Sequence, residues 1–252
     1  MSFLRTLNNQ EVEGSSPSAS TNFFHRLGEQ AVRNNIEIDV KKLPKRCRSF
    51  VEDTITYANE NGCAVRLLNA DTLYSDVAET MPVEGYLEGD GKLLSVACGS
   101  LQPLYAWIGV LCHESCHLDQ FLQNKPLWNK MDYYNSDALN MFDDWIAGKK
   151  YKPRTISSCV SKIQQIELDC EERTVEKILC YDLPIDLNYY IPSANAYIML
   201  YRAVSHLRRW YTPGKEPHNN LKIVRAMPGS FLSLTTFANI PKDLLTLYDQ
   251  AM

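Results

Sequence analysis

The chain has 252 residues, 45% hydrophobic and 22% charged, with 26 Lys and Arg against 30 Asp and Glu. Such a chain can bury one large core, and a net charge of −4 excludes a generally cationic surface of the kind that coats nucleic acid. No apolar run reaches the roughly 18 residues a bilayer span needs, and Met1 to Gln10 lacks the charged-then-apolar order of a secretion signal, so a cytoplasmic location is expected. The eight cysteines include no C-x-x-C pair, and Cys112, Cys116, Cys159 and Cys170 occupy helix positions; they read as reduced thiols, mostly in the core.

Residues 1–22, with the Ser-rich stretch Gly14 to Ser20, are expected to be a mobile N-terminal segment. Residues 23–252 are expected to form one domain, an α/β lobe to about residue 124 and a helical lobe after it. Lys41, Lys42, Lys45, Arg46 and Arg48 form a basic cluster that reads as a solvated helix entrance in preference to a nucleic-acid contact. Pro44 to Asn61 predicts a helix, with Pro in the first turn and Gly62 as its stop. Cys63 to Leu68 predicts a strand. Val83 to Leu87 and Lys92 to Ala97 flank the turn Gly89-Asp90-Gly91 and predict an antiparallel hairpin. Pro103 to Gln123 predicts a helix that is apolar almost all round, hence central and buried. Ser136 to Ala147, Thr155 to Cys180, Ser193 to Tyr211 and Pro241 to Met252 predict further helices separated by Pro- and Gly-containing loops. The class is α+β: a small antiparallel sheet packed on a central helix, followed by a mainly helical C-terminal lobe.

That central helix carries His113-Glu114-Ser115-Cys116-His117. Residues i and i+4 lie one above the other on a helix, so both imidazoles can reach one ion. Zinc suits two imidazoles; with a third protein ligand, its fourth position stays open for water in a catalytic site. Glu114, turned by about 100° from His113, aims at the open position instead of at the ion. The plainer reading is two core histidines satisfied by hydrogen bonds. It leaves Glu114 unexplained. Cys112 or Cys116 as a soft ligand is disfavoured, because each points about 100° away from its neighbouring histidine.

The third ligand is expected on the helix Thr155 to Cys180. Its apolar stripe, Ile156, Cys159, Val160, Ile163, Ile166, Cys170, Thr174 and Ile178, is interrupted by Glu167, and a buried carboxylate must be paired or coordinate a metal. Glu171, one turn on, sits at the edge of the stripe, where it can accept the free N–H of a ligand histidine. Asp169, Glu172 and Glu176 project the other way and are expected to be solvated.

With these residues in view, the chain resembles zinc metallopeptidases of the gluzincin type, which pair His-Glu-x-x-His on one helix with a Glu on a later one. His113-Glu114-x-x-His117 matches the first element. Glu167-Leu168-Asp169-Cys170-Glu171 matches the second, with Glu171 replacing the more usual Asp, and the likeness covers roughly a quarter of the chain. The resemblance implies one zinc ion on His113, His117 and Glu167, Glu114 as general base, and hydrolysis of a protein or peptide substrate. It further implies that Tyr197, Tyr201 or His206 stabilises the oxyanion, each having a core or surface role as its plainer reading, and that Leu93 to Ala97 is the strand pairing with substrate backbone, the alternative being an ordinary internal strand. The alternatives are a non-catalytic metal-binding or partner-binding protein on a metallopeptidase-like scaffold, and a zinc hydrolase of a non-peptide amide. Neither a membrane nor a nucleic-acid partner is expected.

Overall fold

The computed structural model describes residues 33–75, 78–99, 102–133, 136–212 and 214–252. The expected mobile segment, residues 1–22, lies outside the described residues.

The chain opens with the two-residue strand β1 (Asn35–Ile36), then helix α1 (Lys45–Glu60) and strand β2 (Ala64–Leu68). A two-stranded ribbon follows, β3 (Leu73–Ser75) with β4 (Ala78–Val83), then β5 (Gly85–Leu87) and β6 (Leu93–Ala97). The four-stranded sheet has the order β1-β2-β6-β5. β5 and β6 form the expected antiparallel hairpin, with Leu87 opposite Leu94. β2 runs parallel to both β1 and β6, so the sheet is mixed and not purely antiparallel. The physical reason is the excursion through the β3–β4 ribbon and β5, which returns the chain to the same end of the sheet before β6 begins.

Of the two readings of Leu93 to Ala97, the internal strand holds: it is paired on both sides, with β2 and with β5, and all five of its residues are buried. Its continuous apolar run is that of an interior strand. The outer position belongs to β5. The hairpin tip rests on the central helix: Gly91 has φ +69°, and a Cβ there would meet the Phe121 ring at 2.4 Å. Glycine is required at that position by both the turn and the contact.

The central helix, α2, spans Leu104–Gln123 and buries an unbroken run from Val110 to Gln120. Beyond it come α3 (Ala138–Ile146), α4 (Pro153–Cys180), α5 (Leu187–Leu207) and α6 (Lys242–Ala251), with single helical turns between them. α4 packs against α2, α3 and α5. α3 starts later than expected because Asp137 caps it, accepting from the Asn140 amide at 2.8 Å. α5 starts earlier and stops sooner than Ser193 to Tyr211. Asp186 caps its beginning and Pro192 lies inside it, while Arg208 in the left-handed region (φ 54°) ends it. The missing Pro192 amide costs one hydrogen bond, and the early start puts Tyr190 on the helix. One continuous cluster of buried apolar side chains joins α1, the sheet, α2 and the later helices. No helix among the described residues is long and apolar enough to cross a membrane.

Candidate metal centre

α2 and α4 bring four of the expected residues into one buried cluster. The Nε2 atoms of His113 and His117 are 3.0 Å apart, the rings meeting edge to face at 4.6 Å and 88°. Glu167 reaches over from α4, its Oε2 3.7 Å from each Nε2. That oxygen is buried and has no hydrogen-bond partner among the described residues. A point about 2.0 Å from all three atoms therefore exists, matching zinc bonds of about 2.0–2.2 Å to nitrogen and carboxylate oxygen.

Cys170 offers a second way to complete a ligand set. His113, His117 and Cys170 form a buried group whose ligand atoms lie within 4.8 Å of one another and that could hold a metal ion. Its Sγ is 3.6 Å from the Nδ1 of His113, on the far side of the ring from Nε2, and donates to the His113 carbonyl at 3.3 Å. Burial pushes this thiol well above its ordinary value, which favours the protonated, non-ligating form.

The surrounding side chains orient both imidazoles. Glu171 Oε1 is 3.2 Å from His113 Nδ1, the position expected of it, and its Oε2 accepts from Tyr190 Oη at 2.5 Å. His117 Nδ1 faces Gln120 Oε1 at 2.8 Å. Gln120 escaped the sequence reading because a Gln near the end of a helix carries no pattern of its own. Asp169, expected to be solvated, accepts from Gln120 Nε2 at 2.8 Å and from Arg173 Nε at 2.7 Å; Glu172 and Glu176 are exposed as expected.

The protonation of the cluster follows from its charges. Burial alone would depress His113, but the carboxylates of Glu171, Glu114 and Glu167 outweigh it and raise the imidazole to about 9. Burial, and the charge on His113, hold His117 well below its ordinary value. The proton between the two Nε2 atoms thus belongs to His113. Burial, assisted by Glu171 and Glu114, pushes Glu167 up to about 8 against the opposing pull of His113. Two protons sit where a divalent cation would neutralise the same charges.

Glu114 is fully buried and turned towards β5, where a Cβ on Gly85 would lie 3.3 Å from its Cγ. Tyr197 Oη is 3.4 Å from Glu167 Oε1 and 2.8 Å from Tyr201 Oη, so Tyr197 touches the cluster and Tyr201 stands behind it. His206 is exposed on the last turn of α5, away from the site. Its place is taken by His218, which the sequence reading missed because a lone loop histidine has no spacing to mark it. His218 is buried, its ring is 5.4 Å from that of Tyr197, and its Nδ1 has no hydrogen-bond partner among the described residues. His113 and His218 both line a cavity of about 660 Å³ whose walls include Glu84, Tyr105, Val110 and Tyr190.

None of the eight cysteines, all among the described residues, forms a disulfide, and of the eight only Cys180 is exposed. In the basic cluster, Lys42 pairs with Asp39 at 3.2 Å and Arg46 with Asp182 at 2.8 Å. Compared with known proteins, the chain matches no family model, no curated protein and no solved structure.

Proposed function

We propose that the chain is a zinc-dependent endopeptidase whose metal is held by His113, His117 and Glu167. One observation carries this reading: Glu167 Oε2, buried and without a hydrogen bond, lies 3.7 Å from both imidazole nitrogens. Such an atom is costly to bury unless a cation sits beside it. Zinc, when bound, would lower the pKa of water to about 7 and polarise the scissile carbonyl.

The chain's own residues supply the rest. The Glu114 carboxylate takes the proton of the attacking water and passes it to the leaving amine nitrogen. The closed protein around it excludes bulk water, which strengthens each charge interaction in the site. His218, which lines the cavity, and Tyr197, whose hydroxyl lies beside Glu167, are the donors best placed to steady negative charge on the carbonyl oxygen; His206 is not. β5, which begins one residue after the cavity-lining Glu84, replaces Leu93 to Ala97 as the strand that would pair with an extended protein or peptide substrate. Reduced, buried thiols suit a cytoplasmic setting.

The His113–His117–Cys170 group favours a second reading. If Cys170 completes the set, the metal is closed off from substrate and stabilises a non-catalytic, partner-binding protein. The experiment that separates the two is zinc analysis with hydrolysis of an unfolded protein, by wild type with and without chelator and by Glu114→Gln. The peptidase reading expects about one zinc in both proteins and cleavage only by unchelated wild type. Zinc in both with cleavage by neither favours the second reading.

A further inference from the structure

A neutral imidazole has one N–H and one lone pair, so whichever nitrogen is forced to donate leaves the other free to bind a metal. Gln120 forces that choice on His117. Its Nε2 donates to the Ile166 carbonyl at 2.8 Å and to Asp169 Oδ2 at 2.8 Å. Both partners can only accept, and Asp169 is in turn fixed by Arg173 Nε at 2.7 Å. Turning the amide over would set its oxygen against two acceptors, so the network fixes the orientation. Oε1 is left 2.8 Å from His117 Nδ1, and an amide oxygen can only accept.

From this geometry we infer that Gln120 is a positioning residue, which holds His117 in the Nδ1–H tautomer and turns its Nε2 lone pair towards His113 and Glu167. The chain Arg173–Asp169–Gln120–His117 then ties the ring of α2 to the backbone and side chains of α4, so the spacing of the two helices and the direction of the lone pair are set together. The part of the inference that concerns metal affinity rests on the proposed zinc site; the part that concerns the tautomer stands without it.

The test uses Gln120→Met, which keeps the length of the side chain and removes both amide functions, beside Gln120→Glu, which keeps an acceptor for Nδ1 and, with its other oxygen protonated, a donor for the Ile166 carbonyl and Asp169. Ring-nitrogen NMR of the metal-free proteins, each also carrying His113→Ala so that no imidazole N–H faces His117 Nε2, reads the tautomer, and competition with a chromophoric chelator in the proteins that keep His113 reads zinc affinity. Wild type and Gln120→Glu should show His117 protonated on Nδ1. Gln120→Met should show the proton on Nε2 or exchanging between the two, with zinc affinity down by about 10–100-fold, the range typical of residues that orient a ligand. Gln120→Glu should lose less. A Gln120→Met protein that keeps Nδ1–H overturns the inference. A shifted tautomer with zinc affinity within about twofold of wild type overturns its metal part, and places the failure in the assignment of His117 as a ligand. Should Gln120→Met not fold, Gln120→Leu removes the same two amide functions with a shorter side chain; an unchanged His117 tautomer there also overturns the inference.

Discussion

α2 and α4 are joined by two polar clusters, and the contrast between them separates a structural contact from a site. In one, Lys177 Nζ lies 2.8 Å from Asp119 Oδ2 and 2.8 Å from Ser115 Oγ, and Ser115 donates to the Cys112 carbonyl at 2.7 Å. Cation meets anion and each donor has an acceptor. Ser115 and Asp119 lie about 200–240° around the helix from His113, on the side turned away from the other cluster. There, three carboxyl groups, Glu114, Glu167 and Glu171, surround a single imidazolium on His113, and Glu167 Oε2 has no hydrogen bond. Buried charge is tolerated when paired and expensive when not. The closed cluster needs nothing further, whereas the open one has the donor set and the excess negative charge of a cation site.

Variants should divide along the same line. The largest effect is expected at the imidazoles: His113→Ala or His117→Ala should abolish stoichiometric zinc, and Glu167→Ala should remove most of it, as read by metal analysis after dialysis. Glu114→Gln comes next. It should keep its zinc and its fold, yet lose hydrolysis by the ~10²–10⁴-fold assigned to a general base; equal rates would take Glu114 out of the mechanism. Glu171→Ala should weaken zinc affinity by about 10–100-fold, a clear step below the loss at Glu167. Equal losses at both would erase the distinction between holding the ion and orienting His113.

The closed cluster should behave in the opposite sense. Lys177→Met leaves Asp119 without its cation and should cost about 1–3 kcal/mol of stability with no change in zinc affinity. Glu167→Gln should lose zinc while leaving the metal-free protein as stable or more so, because it replaces a buried acid whose Oε2 has no hydrogen bond with a neutral amide. Denaturant melts of both variants, each metal-free, provide the check. A Lys177→Met protein that loses zinc, or a Glu167→Gln protein that loses stability, would break the comparison.

The smallest effect is a pH dependence. Glu167, raised to about 8, and His113, raised to about 9, both bind more protons folded than unfolded in the window from about 6.5 to 8, while His117, neutral when folded, opposes them only near the lower end, where the unfolded imidazole is still partly protonated. Stability falls with rising pH wherever the folded state holds the extra protons. The metal-free protein should therefore become less stable between pH 6.5 and 8, and zinc affinity should rise over the same window as those protons are displaced. Zinc affinity that is flat across it would mean the protons and the metal do not compete.

Much of this was legible before any coordinates. α2 announces itself because apolar residues cover its whole circumference, and its observed start, Leu104, is one residue from the expected Pro103. Glu167 was readable because it breaks an apolar stripe, and the β5–β6 hairpin because Gly89-Asp90-Gly91 marks its turn. What could not be read depends on contacts between residues far apart in the chain. The parallel pairing of β2 with β6 leaves no local mark on either strand, so the interior place of β6 is not legible in its residues. Pro192 looked like a helix boundary because the Asp186 cap that starts α5 six residues sooner is only one of many possible caps. Gln120, Asp169 and His218 acquire their places from helix packing and loop closure. Glu171, close to Glu167 in sequence, needed only the periodicity of α4.

The central claim, that an oxygen of Glu167 and not the sulfur of Cys170 completes the centre, is tested most directly by zinc K-edge X-ray absorption of the zinc-loaded protein. Two imidazole nitrogens and oxygen at about 2.0–2.2 Å are expected, with no sulfur. A sulfur shell at about 2.3 Å would contradict it and make Cys170 the ligand.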